Sequence, residues 1–124
     1  MAVKGLKALR HEIAQWLNRS EKLSFTWEDI LIGPGSKELL FLVGLSLDCD
    51  LLIGTPCWVS YIPQTKFLGK SITTIETKFE NRWRVTPEEL DEACRRDEKD
   101  PNRKNKCMIL TYPDNPTGLT YKPE

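Results

Sequence analysis

Three short segments of the sequence carry residues suited to binding a small charged molecule. The first is GPGSK at residues 33–37, which precedes an apolar helical stretch. Its small residues let a ligand approach the backbone, and N–H groups at the start of a helix attract an anion. The spacing fits neither G-x-x-x-x-G-K-[ST] nor G-x-G-x-x-G. By itself the segment is consistent with a phosphate site or with an ordinary tight turn.

The other two segments place an aromatic ring and an amide after apolar runs. Trp58 ends the segment TPCW, and its indole suits either stacking on a planar ligand or burial in a core. Asn115 lies in YPDNPTG, residues 112–118. Its amide is both donor and acceptor, and the bond to the following proline can be cis. A plain proline turn is the alternative for this third segment.

Strand and helix patterns alternate along the chain. Apolar and β-branched runs predict strands at 29–33, 51–54, 71–79 and 107–112. The alternation predicts an α/β fold with a mostly parallel sheet and helices on both faces. In such sheets ligands bind beyond the carboxyl ends of the strands. GPGSK, TPCW and YPDNPTG each follow a predicted strand, so we expect them to meet at one edge of the sheet.

The helices are predicted from spacing and from capping signals. GLKALRHEIAQWLNR has helical spacing, which places Arg10 and His11 on its polar face. The helix after GPGSK is apolar on nearly every side, so we expect it to be mostly buried. A helix after Trp58 is expected to bend or break near Pro63. TPEELDEACRR carries a capping box with proline at the first helical position.

Composition excludes several classes of function. The chain has 124 residues and no net charge, from 18 basic and 18 acidic side chains, so nothing favours a nucleic acid as partner. No apolar run approaches the roughly 18 residues that would cross a bilayer. Four cysteines without CxxC spacing and a single histidine argue against a metal site. The pattern is that of reduced thiols in a cytoplasmic protein.

Taken together, the motifs resemble those of class I/II aminotransferases, the pyridoxal-phosphate enzymes of fold type I. YPDNPTG is similar to the family signature [N/S]-x-P-x-NPTG. GLKALRHEIAQWL is similar to G-L-x-x-LR-x-x-IA, and GPGSKELLF to the phosphate loop of the family. PCWVSY matches P-x-WVSY, and RWRVTPEEL also has its counterpart. The order and spacing of these motifs from Gly5 to Tyr121 make the joint resemblance specific.

The resemblance implies roles for particular residues. Backbone N–H groups of Gly35, Ser36 and Lys37 would hold the phosphate of pyridoxal 5′-phosphate, and Trp58 would stack on its ring. Asn115 would donate to the phenolic oxygen of the cofactor and to the substrate carboxylate. By the same analogy, the peptide bonds before Pro56 and Pro116 are expected to be cis. Lys37 belongs to the phosphate loop and is not the Schiff-base lysine of the family, which is not in this chain.

The resemblance also implies what accompanies this segment in a complete enzyme. Residues 1–124 correspond to part of the large, cofactor-binding domain, without the N-terminal small-domain segment or the C-terminal half. We therefore expect a fragment of an enzyme that transfers an amino group from an amino acid to a 2-oxo acid. The parent would be a cytoplasmic homodimer, and the chain alone would be inactive.

Departures from the family pattern leave alternatives open. Asp114 stands where Asn is common, and DCDLLIG departs from GD-x-V-L-x-x-x-P. One alternative is a non-catalytic short isoform or decayed copy that binds the cofactor weakly. Another is a fragment of a different fold type I enzyme, of the carbon–sulfur lyase or aminocyclopropane-carboxylate synthase type. A nucleotide-binding α/β domain fits less well because its loop glycines would be misplaced.

Overall fold

The computed structural model describes residues 3–96 and 98–121. The chain divides into two compact units, Met1–Leu40 and Phe41–Glu124. In the first unit, helix α1 spans Lys7–Ser20, as its spacing predicts.

Arg10 does not lie on a solvated face of α1 as expected. It is 5% exposed, and its guanidinium carbon lies 4.7 Å from the centre of the Trp27 ring. One of its terminal nitrogens also donates to the Ile30 carbonyl oxygen at 3.4 Å. Burial is tolerated because the cation gains an aromatic face and a hydrogen bond. His11 is exposed, as predicted.

The strand predicted at residues 29–33 is not formed. A short 3-10 helix, Trp27–Asp29, is followed by irregular backbone in which the Ile32 N–H donates to the Lys4 carbonyl oxygen at 3.0 Å. No neighbouring strand within residues 3–96 and 98–121 pairs with this segment. Apolar residues alone do not make a strand, since a strand needs a ladder of backbone hydrogen bonds.

Helix α2 spans Ser36–Ser46, and the boundary between the two units falls inside it. The expected burial of this helix is wrong for the described chain. No residue of α2 is fully buried, and Leu42, Val43 and Leu45 are between 43% and 62% exposed. In the second unit only part of its surface is covered, for example where the Phe41 ring packs 5.9 Å from that of Phe67.

Three parallel strands form the sheet of the second unit. They are β1, Cys49–Thr55, β2, Ile72–Glu76, and β3, Asn105–Met108, in the spatial order β2-β1-β3. In the central strand three successive residues, Leu51, Leu52 and Ile53, are at most 5% exposed. Burial on both faces is typical of the central strand of a parallel sheet. The prediction of an α/β fold with a parallel sheet is therefore confirmed.

Helix α4, Pro87–Arg95, packs on this sheet through Ala93, which is completely buried with Leu52 and Ile75. Its predicted capping box is present. The Thr86 hydroxyl oxygen accepts from the Glu89 N–H at 3.3 Å, and the Glu89 carboxylate accepts from the Thr86 N–H at 3.0 Å. These two bonds satisfy N–H groups that have no partner within the helix.

Helix α3, Tyr61–Phe67, is not interrupted at Pro63. The proline is the third residue of the helix, where the backbone nitrogen needs no intrahelical partner. Every helix within residues 3–96 and 98–121 is too short or too polar to cross a bilayer.

Candidate functional site

The loops after β1 and β3 lie at the carboxyl edge of the sheet. Both strands run in the same direction, and the Ile109 N–H donates to the Leu52 carbonyl oxygen at 3.4 Å just beyond β3. The loop after β1 carries Trp58, and the chain after β3 continues to Asn115. The second unit thus places two of the predicted site residues on loops at the same edge.

Trp58 lies three residues before the start of α3. It follows a cis bond between Thr55 and Pro56, as the resemblance implies, and it is half-buried. Its ring meets that of Tyr61 edge-to-face, with 5.3 Å between the ring centres and 81° between the planes. The Tyr61 N–H also donates to the Trp58 carbonyl oxygen at 3.2 Å. The orientation of the indole is therefore fixed by ring packing and by the backbone.

Asn115 lies in a turn built by its neighbour, Asp114. The Asp114 carboxylate accepts from the Thr117 hydroxyl at 2.7 Å, and the Asp114 N–H donates to the Leu119 carbonyl oxygen at 2.8 Å. Gly118 closes the turn at a φ of +69°, a value that glycine adopts readily. Asn115 itself is exposed, and within residues 3–96 and 98–121 its side chain makes no hydrogen bond. Its amide is therefore available to a ligand.

The cis bond between Asn115 and Pro116 is present, as the resemblance implies, and a further cis bond precedes Pro113. Tyr121 anchors the far end of this segment, because its hydroxyl donates to the Val85 carbonyl oxygen at 2.9 Å. Its ring packs edge-to-face on that of Tyr112, with 4.7 Å between the centres. Burial, together with the Tyr121 contact, raises the pKa of Tyr112 well above its usual range. The segment on both sides of Asn115 is thus tied to the body of the second unit.

A small cavity lies beneath these two loops. Its volume is about 30 Å³, and its polar lining includes Cys57, Tyr61, Thr111 and Asp114. Binding pockets for small molecules usually enclose about 300–1,000 Å³, so this cavity is not itself the ligand site. Burial raises the pKa of the Cys57 thiol, and the Asp114 carboxylate raises it further. Cys57 is therefore a weaker nucleophile than an ordinary cysteine.

The segment GPGSK belongs to the first unit as far as its helix start. Gly35 has a φ of +152°, which strongly favours glycine, and a Cβ added at this position would have no atom within 4 Å. Its carbonyl oxygen accepts from the Leu39 N–H at 3.1 Å, and Ser36 begins α2. An open approach to the first turn of an 11-residue helix suits an anion such as phosphate.

The parallel sheet and its helices agree with a partial domain of the fold type I class, and comparisons with known proteins assign the chain to that class. The family described as Aminotransferase class I and II matches residues 1–124, so the chain belongs to this family. It is 32% identical over 123 residues to the aspartate aminotransferase of Bacillus subtilis. The aligned region covers 97% of this chain and 30% of that protein. The asparagine–oxo-acid transaminase of Streptococcus mutans is 33% identical, and the aligned region covers 94% of this chain and 29% of that protein.

Solved structures agree. The aspartate aminotransferase from Rhizobium meliloti is similar with a TM-score of 0.84 and 26% identity, over 98% of this chain and 30% of that one. The aspartate aminotransferase from Thermotoga maritima is similar with a TM-score of 0.82 and 27% identity, over 98% of this chain and 32% of that one. The chain thus spans about 30% of the length of the curated relatives it matches.

Within the second unit the described geometry accommodates two parts of the predicted cofactor site. Trp58 offers a ring in a fixed orientation, and Asn115 offers an amide without a hydrogen bond. In the first unit, Gly35 leaves the start of α2 open to a ligand. Trp58 and Asn115 suit the ring and a polar substituent of an aromatic cofactor, and the start of α2 separately suits a phosphate. Sequence reasoning gave no role to Tyr61 or Thr111, although Tyr61 is the last residue of the quoted motif PCWVSY.

Proposed function

We propose that this chain provides phosphate, ring and phenolic-oxygen contacts for pyridoxal 5′-phosphate in an aminotransferase acting on an amino acid and a 2-oxo acid. The observation that carries the proposal is the position of Trp58 and Asn115. They lie on loops at one edge of a parallel sheet, in a chain that belongs to the aminotransferase family throughout its length. The names of the relatives, aspartate aminotransferase and asparagine–oxo-acid transaminase, support the substrate class.

The proposed roles of the residues are those that the family resemblance implies, and they agree with the chemistry of the side chains. N–H groups of Gly35, Ser36 and Lys37 at the start of α2 bind the phosphate, and the glycine leaves room for it. Trp58 fixes the plane of the ring by stacking. The Asn115 amide donates to the phenolic oxygen and to the substrate carboxylate. When bound, pyridoxal phosphate supplies an electron sink for negative charge at the substrate α-carbon.

We propose that residues 1–124 do not catalyse transamination alone. The resemblance assigns Lys37 to the phosphate loop, and no other lysine of the chain matches the catalytic lysine of the family. Without a lysine that binds the cofactor covalently and moves the α-proton, only non-covalent contacts are left, so binding is weak.

The complete enzyme is proposed to be a cytoplasmic homodimer. The exposed apolar side chains of α2, among them Leu42, Val43 and Leu45, support its burial against further protein in that enzyme. Size-exclusion chromatography of a family enzyme containing this segment tests the dimer, and elution as a monomer would contradict it.

A titration of the purified chain with pyridoxal phosphate tests the proposed contacts. We expect weak, saturable binding, followed as a shift of the absorbance of the cofactor, and a several-fold loss of affinity in Trp58→Ala and in Asn115→Ala. Trp16→Ala and Asn102→Ala are matched controls, since both residues are exposed and lie outside the loops of the proposed site. Equal affinity in all five proteins would overturn the proposal, as would a lysine adduct trapped by borohydride at Lys37.

A further inference from the structure

Tyr61 contacts both loops that carry the predicted cofactor residues of the second unit. It is the first residue of α3 and is only 7% exposed. Its ring packs edge-to-face on Trp58, and its hydroxyl lies 2.7 Å from that of Thr111. The two hydroxyls are separated by 50 positions in the sequence. The side chain therefore joins the loop after β1 to the segment that follows β3.

Thr111 links the contact with Tyr61 to the position of the turn that carries Asn115. It lies three residues beyond the end of β3 and four before Asn115. The turn that follows is closed internally by Asp114 and Thr117, so Thr111 and Tyr112 connect that turn to the sheet. Fixing the Thr111 side chain fixes the point from which the Asn115 turn starts.

The position of Tyr61 within its own helix is also constrained. Its carbonyl oxygen accepts from the buried hydroxyl of Thr65 at 2.9 Å, and its N–H donates to the Trp58 carbonyl oxygen. The ring thus projects from a fixed backbone toward Thr111. A side chain held at both ends suits alignment of two neighbouring loops.

We propose that Tyr61 is a positioning residue of the cofactor site, which sets the ring of Trp58 and the amide of Asn115 at a fixed separation through its hydrogen bond to Thr111. Tyr61 touches neither the cofactor nor the substrate in this scheme. The inference rests on the proposed function, because it concerns the same bound molecule. It adds a residue pair, Tyr61 and Thr111, whose contribution to binding comes entirely through the two loops that it joins.

The test is a titration of the full chain with pyridoxal phosphate in a set of hydroxyl variants. Tyr61→Phe keeps the ring and removes only the hydroxyl, and Thr111→Val removes the bond from its other end. We expect each to weaken binding roughly three- to tenfold, the range that one lost hydrogen bond covers. The double variant should be no weaker than either single one, because both changes delete the same bond. Thr111→Ser keeps a hydroxyl and should bind like the unmodified chain.

Thr86→Val is the matched control for stability. It also deletes a threonine hydroxyl that is part-buried, but its hydrogen bond caps α4 and does not join the loops. We expect it to lower the melting temperature while leaving the affinity unchanged at temperatures well below unfolding. If Tyr61→Phe does not fold, Thr111→Val and Thr111→Ser still decide the question.

Two failures are distinguishable. Unchanged affinity in Tyr61→Phe and Thr111→Val, with weakened binding in Trp58→Ala and Asn115→Ala, would reject the role of Tyr61 and leave the proposed function standing. Unchanged affinity in the Trp58 and Asn115 variants would reject the proposed function and this inference with it.

Discussion

At the carboxyl edge of the sheet a part-buried pair of hydroxyl groups joins the two loops, whereas at the amino edge an exposed ion pair joins the residues before β1 and β3. Tyr61 and Thr111 make the first connection, with Tyr61 7% exposed. At the other edge, Lys104 lies 2.6 Å from Asp48, and their side chains are 49% and 82% exposed. Both connections join distant parts of the sequence, but the first is the less exposed to water.

The difference distinguishes positioning, in which a contact fixes the geometry of side chains, from closure, in which a contact only brings two segments together. An exposed ion pair is screened by salt and contributes little to stability, so it does not hold two side chains in one geometry. A part-buried hydrogen bond has fewer alternatives, because breaking it leaves two polar atoms with reduced access to water. The edge that carries Trp58 and Asn115 therefore has the more restrictive connection.

The largest expected effect comes from the strand that both edges share. Leu52 is 2% exposed and lies in the core with Ile75 and Ala93. We expect Leu52→Ala to lower the free energy of unfolding by about 2–5 kcal/mol, measured by urea denaturation. Leu45→Ala, at a residue 62% exposed, is the control and should change it far less. A small loss in Leu52→Ala would mean that the two edges do not depend on a common core.

A smaller effect is expected from the turn at the carboxyl edge. Asp114→Ala removes the acceptor of the Thr117 hydroxyl, and we expect a loss of about 1–2 kcal/mol in unfolding free energy together with weaker binding of pyridoxal phosphate. Asp114→Asn retains a side-chain oxygen, so it should preserve both properties. Equal losses in the two variants would show that the negative charge, and not the hydrogen bond, supports the turn.

Local signals explain what could be predicted from sequence. The capping box at Thr86 and Glu89 involves residues three apart, and the buried strand around residues 51–54 is marked by its own side chains. Family resemblance, not residue pattern, gave the cis bonds before Pro56 and Pro116. These features depend on short segments or on a shared ancestor.

Apart from the helix that continues through Pro63, the failures concern contacts between distant parts of the chain. Arg10 is buried because Trp27 lies over it, which helical spacing does not reveal. The segment at 29–33 has the composition of a strand but no neighbouring strand among the described residues. The bond between Tyr61 and Thr111 joins residues 50 positions apart, so no local pattern could predict it. Residues distant in the sequence determine which side chains are buried and which strands pair, and a single sequence does not show which of them come into contact.

The smallest expected effect comes from the exposed ion pair, and its response to pH and salt distinguishes the two edges. The hydrogen bond and charge of Lys104 lower the pKa of Asp48 in the folded chain. A lowered folded pKa contributes stability above the unfolded value of about 4, and this contribution is lost as the pH falls through the folded pKa. Lys104→Gln should therefore lower the melting temperature slightly at pH 6 and leave it almost unchanged near pH 2.

High salt should shrink the Lys104→Gln difference at pH 6 as well, because it screens exposed charges. The decrease in melting temperature caused by Tyr61→Phe should stay the same in high salt, since a hydroxyl pair has no net charge to screen. The measurement is the melting temperature of both variants in 0.1 M and in 1 M NaCl. The screening length is roughly three times shorter at the higher concentration. If salt reduces both differences equally, the carboxyl edge is held by charge in the same way as the amino edge, and the distinction between positioning and closure fails.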